Sequence, residues 1–180
     1  MDQNCPNLGH FLNKEQCLEN IAGTSAVAYF FVKSDLEAPL TLTGCEYSTP
    51  TFAAGKGLYK FDVKDESQQV KGESQGPNAG FALTWNAILE RVNMKAAELS
   101  RALNNLDICI IIPDSDGLSQ ILYDPIRRVK AEQGGIASDT GAAVGDDRQV
   151  ALEFHLNGVL YDNLYVKAPK DGWETLMVSE

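Results

Sequence analysis

Histidine is nearly missing from this chain, with His10 and His155 the only two among 180 residues. No His-x-x-x-His spacing exists, and Cys5, Cys17, Cys45 and Cys109 never form a Cys-x-x-Cys pair. A zinc centre built on either pattern is excluded, and reduced thiols in a cytoplasm-like compartment are expected. Apolar runs are short. None approaches the roughly 18 residues that a membrane helix requires, and the opening MDQNCPNLGH has neither the basic start nor the apolar stretch of a secretory signal. Positive charge is in deficit. Fifteen Lys and Arg face twenty-five Asp and Glu, a formal charge of −10, which speaks against a surface gripping DNA or anionic lipid over a broad patch.

What is present suits one ordinary core. A 44% hydrophobic share over 180 residues can bury enough surface to fold without a disulfide or metal staple. Residues 1–24 are polar and only loosely periodic in Leu8, Phe11, Leu12, Leu18 and Ile21, the pattern of an arm. From Val27 the run VAYFFV predicts a buried strand, and LTLTG after Pro39 a second. Tyr59, Phe61 and Val63 alternate with Lys60, Asp62 and Lys64. Phe81, Leu83, Trp85, Ala87 and Leu89 do the same around Ala82, Thr84 and Asn86. With the polar stretch 67–75 and the turn Gly76-Pro77-Asn78 between them, these two segments predict an antiparallel hairpin.

One helix is expected, capped by Asn93 and periodic in Met94, Ala97, Leu99, Ala102, Leu103 and Leu106, with Asn104-Asn105 suited to a left-handed end. Residues 108–112 (ICIII) should be central in a sheet, and residues 118–123 return from the Asp114–Gly117 turn. Residues 126–132, with Arg127, Arg128 and Lys130, predict another strand, and 133–147 a loop of small residues. Val150, Leu152, Phe154 and Leu156 mark a late strand, Asn157-Gly158 its hairpin turn, and 159–166 the partner. Many short strands, one helix and no βαβ alternation predict a mainly β fold, a sandwich or partly closed barrel with one packed helix. Its expected extent is one domain over 25–166, preceded by the arm at 1–24 and followed by a tail at 167–180.

Motifs that carry chemistry are few. Asp139-Thr140-Gly141 matches the tripeptide of aspartic proteases, in which two carboxylates share one proton and activate water. A single copy, following the small residues 134–138 instead of ending an apolar strand, reads as a loop. Asp114-Ser115-Asp116-Gly117 begins like a calcium loop but lacks the later oxygen ligands and the closing Glu. His155 beside Glu153 lies on the polar parity of its strand. Gly55-Lys56-Gly57 lacks the spacing of a phosphate loop, and Trp85 shares parity with core residues, while Trp173 has the ring of a ligand platform. No catalytic, cofactor-binding or metal-ligating set is expected, and no enzyme.

The order of segments resembles a known family. Gly57-Leu-Tyr-Lys-Phe-Asp-Val-Lys, the stretch 67–76, and Gly80-Phe-Ala-Leu-Thr-Trp85 resemble the long hairpin region of phage tail-tube (major tail) proteins. Leu103-Asn-Asn-Leu106, the strand at 108–113 with its Asp-Gly turn, and Ser138-Asp-Thr-Gly-Ala-Ala-Val-Gly145-Asp before Val150-Ala-Leu-Glu-Phe154 follow in the family's order. The resemblance implies a subunit that forms hexameric rings, stacked into a tube that conducts DNA and joins other tail components in the virion tail. Contractile injection-system tubes share this architecture. An acidic lumen would not retain phosphate, and stretches 67–78 and 133–147 are the expected bridging loops. The alternatives are another phage β-sandwich module of head, baseplate or adhesin, and a protease-like enzyme at Asp139.

Overall fold

In the computed structural model, residues 24–90, 92–115, 117–142 and 147–178 are described. The expected arm, with His10, Cys5 and Cys17, lies outside the described residues except for Thr24, and so do Asp116 and Gly145. The described residues form two sheets, one α-helix and no closed barrel, a mainly β fold. The strands are β1 (Val27–Val32), β2 (Leu42–Thr43), β3 (Glu46–Tyr47), β4 (Tyr59–Asp62), β5 (Gln69–Ser74) and β6 (Phe81–Glu90). After α1 (Met94–Asn105) come β7 (Ile108–Pro113), β8 (Ser119–Leu122), β9 (Ile136–Asp139), β10 (Gln149–Val159) and β11 (Tyr165–Val166). One sheet has the order β2-β3-β11-β8-β7-β1-β4 and the other β5-β6-β10-β9.

The central strands follow from their sequences. β1 and β7 pair antiparallel, Phe30 opposite Ile110, and almost every residue of both is buried, because both faces of this sheet are covered. On one face Phe30 meets Phe61 at 4.5 Å and reaches Trp85 of the other sheet at 5.4 Å, both edge-to-face. On the other face Phe31 packs on Phe52 and Tyr123, and Tyr29 lies beside Trp173. Residues read as a C-terminal tail thus contribute Trp173 to the core, its indole N–H donating to Ser119 Oγ at 3.1 Å. Gln68, buried between the sheets, donates to Ser25 O at 2.7 Å and accepts from Trp85 Nε1 at 3.0 Å. Buried polar groups without partners are costly, so this bridge orients the indole as well as satisfying it.

Several segments pair differently from the sequence expectation. Tyr59–Asp62 does not join Phe81–Glu90 in a hairpin; it pairs with β1, Phe61 opposite Ala28. The partner of β6 is instead β5, drawn from the polar stretch, with Val70 opposite Trp85. An edge strand has one wet side and needs no apolar alternation, which hid it. Its inner position at Gly72 is crossed by the chain at Asp162, whose carbonyl would overlap any Cβ there. The second expected loop likewise holds a strand, β9, paired with β10.

Residues 126–132 form no strand beyond a bridge from Lys130 to His155. Asn157-Gly158 is not a turn. β10 continues to Val159 opposite Phe81, with a bulge where Gly158 takes φ 75°, and Gln75 Oε1 accepts the freed Gly158 N–H at 2.9 Å. The helix is capped as expected, Asn93 Oδ1 accepting from Ala96 N at 2.8 Å, but it ends in extended backbone at Leu106, not in a left-handed residue.

Candidate functional site

The motif residues are each absorbed by local structure. Asp139 ends β9, exposed, and its Oδ1 accepts from Gly141 N at 2.9 Å, the turn of a short acidic side chain. Asp114 accepts from Ser115 N at 2.7 Å and from Gln120 Nε2 at 3.1 Å. Lys56 Nζ lies 3.5 Å from Asp35, and the adjacent Gly57 passes tightly against Leu176 O. Both Trp85 and Trp173 are buried core residues. Among the described residues no three His, Cys, Asp or Glu side chains are grouped to hold a metal.

His155 gains a partner that its neighbours in sequence do not reveal. Thr84 on β6 stands directly opposite it, Oγ1 3.0 Å from Nδ1, and Glu153 Oε1 lies 2.8 Å from Nε2. Hydroxyl, imidazole and carboxylate occur here in the order of a nucleophile relay. However, β6 is paired on both sides, so the N–H groups of Thr84 and Trp85 belong to the ladders with β5 and β10. Acyl transfer needs free donors aimed at a developing oxyanion, and those nearest the hydroxyl are committed. Cross-strand pairing of Thr84 with His155, and Glu153 two residues before His155 on the same face of β10, account for the array. The register of β6 against β10 was the missing signal.

Among the concavities and strand edges of the described residues, two of each bear on function. An apolar groove of about 310 Å³ lies between α1 and the sheet, lined by Phe30, Tyr59, Phe61, Leu99, Leu103 and Ile108. A charged cleft of about 440 Å³ is lined by Ile126, Arg127, Arg128, Lys130, Glu132 and His155. Arg127 is 3.4 Å from Asp124 and Arg128 3.6 Å from Asp107, both guanidinia about half exposed.

The four-stranded sheet ends in β5 on one side and β9 on the other. Gln75 N donates to Gly80 O at 3.0 Å, so by antiparallel alternation the outward N–H groups of β5 are those of Val70, Gly72 and Ser74. Glu153 N donates to Gly135 O at 2.6 Å, and the same alternation turns the Ser138 N–H of β9 outward. Lys71 and Glu73 form an ion pair on β5, which lowers the carboxyl of Glu73 below its ordinary range. Charged side chains on an edge discourage indiscriminate pairing while leaving the backbone available to a matched strand.

Set against known proteins, the chain matches no family model, no curated protein and no solved structure.

Proposed function

We propose that this protein is a structural subunit that assembles with copies of itself into stacked rings, forming a tube of the phage tail or injection-system kind. The observation that carries the reading is the sheet β5-β6-β10-β9, whose two edge strands pair with no further strand among the described residues. Two different edges meeting head to tail make a heterologous contact, which closes into a ring when its rotation allows. Strand addition supplies main-chain hydrogen bonds for that contact. The stretches expected as bridging loops supply these edges. Hexameric rings, other tail components as partners, a place in the virion tail and passage of DNA through the lumen complete the proposal. The charge of −10 suits a conduit that does not hold phosphate. No enzymatic role belongs to this reading, and Asp139 serves as a turn residue.

The test is negative-stain microscopy of purified chain across a concentration series, with Ser138→Pro as the edge variant. Proline at Ser138 removes an outward N–H while sparing the ladder to β10. The expected outcome is rings or tubes for the wild type and none for Ser138→Pro, with melting temperatures within a few degrees of each other. A wild type that stays monomeric with tail components added would reduce the protein to a β-sandwich binding module.

A further inference from the structure

The two ends of the sandwich differ in charge, and the difference runs along β10. At its start, Gln149 stands opposite Glu90 on β6 and Asp139 on β9. The turn Asp65-Glu66 belongs to the same end, because Lys64 N donates to Ile88 O at 2.7 Å and Lys64 Nζ binds Asp147 at 2.8 Å. Both turn residues are exposed and make no ion pair among the described residues. Lys64 and Arg148 are the basic groups beside them, and Lys64 is already engaged by Asp147.

At the far end of β10, about 30 Å away at roughly 3.4 Å per residue, Gly158 lies against the Arg127 guanidinium. The charged cleft opens there. Lys33 Nζ donates to Arg127 O at 2.8 Å, and Asp124 and Asp107 offset Arg127 and Arg128 through contacts of 3.4 and 3.6 Å. Lys130 makes no ion pair among the described residues, and Glu153 is engaged by His155. Beside the cleft Ile126 is 86% exposed.

We infer that the cleft of Arg127, Arg128 and Lys130 receives the acidic turn Asp65-Glu66 of a second copy, forming the axial contact between successive rings. This rests on the tube reading and adds to it the residues of the second interface. Planar guanidinia that meet their carboxylates only at 3.4 and 3.6 Å can turn to a better-placed pair, giving bidentate hydrogen bonds that fix register. Because donor turn and acceptor cleft sit at opposite ends of one molecule, the contact repeats along an axis without closing on itself.

Charge exchange tests it. One variant carries Arg127→Glu and Arg128→Glu, the other Asp65→Lys and Glu66→Lys, each checked for an unchanged melting transition. Each alone should raise the assembly threshold at least tenfold, or stop at single rings, since every axial contact then opposes like charges. An equimolar mixture should restore tubes, because each cleft then finds a turn of opposite sign. The wild-type threshold should also rise with salt. Tubes from either variant alone at the wild-type threshold, or a mixture that assembles no better than its parts, would overturn the axial assignment while leaving the tube reading standing. A wild type that forms neither rings nor tubes overturns both.

Discussion

At Trp85 the indole touches Phe30 of the facing sheet at 5.4 Å and Phe154 of its own at 6.0 Å, and its N–H is held by Gln68. Removing it leaves a cavity between the sheets and an unsatisfied amide, so Trp85→Ala should cost about 3–5 kcal/mol. Phe61 shares the parity expected for burial but lines the open groove beside α1 and is only half-buried. Phe61→Ala should therefore cost about 1–2 kcal/mol, in proportion to the smaller apolar area lost. Urea denaturation of the two variants checks the contrast, and equal losses would contradict this packing. Thiols divide in the same way. Cys109 is buried and its thiol pushed well above the ordinary range by burial, whereas Cys45 is exposed. Since the thiolate is the reactive form, a thiol reagent on native protein should modify Cys45 promptly and Cys109 only on unfolding, read by peptide mapping.

At the scale of elements, β10 spans eleven residues and holds the sheet together, pairing with β6 along its length and with β9 at its start. Its bulge at Gly158 is what lets Val159 rejoin Phe81. A Cβ there would press on the Arg127 side chain and the backbone would stay at φ 75°, so Gly158→Ala is strained twice. We expect a loss of about 1–2 kcal/mol from the left-handed backbone alone, measured by thermal unfolding. Removal of the Arg127 side chain in the same molecule should relieve the steric part and leave the backbone part.

For the whole molecule, the tyrosines set the alkaline limit. Tyr47 is pushed up to about 12 by burial, and Tyr123 is raised, again chiefly by burial. Tyr29 is raised by burial first and then by the hydrogen bond from its hydroxyl to Glu174 Oε1 at 2.8 Å. Their ordinary value is 10.0. The folded state holds the protonated phenols more tightly, so their contribution is full below pH about 10 and drains away as pH climbs toward 12. Spectroscopic titration should show these phenolates appearing together with loss of near-ultraviolet circular dichroism. Smooth ionisation of all six tyrosines within an intact fold would contradict this.

Strands whose environment is uniform were legible in the residues alone. ICIII, VAYFFV and the alternation from Phe81 to Leu89 can be satisfied only by burial, on both faces or on one, and they are the centres of the two sheets. Asn93 as a cap is equally local. Pairing was decided by tertiary structure, because alternation specifies which face of a strand is dry and not which neighbour it has. Tyr59–Asp62 therefore went to β1, and polar Gln69–Ser74 became a strand only because β6 offered it a ladder. Asn157-Gly158 permits a positive φ that serves a turn or a bulge alike, and Phe81 across the ladder selected the bulge. The same holds for the surfaces: Thr84 and His155 meet through register, and Arg127 stands far from Asp65 because β10 lies between them. Edges and ends exist only once the sheets have formed.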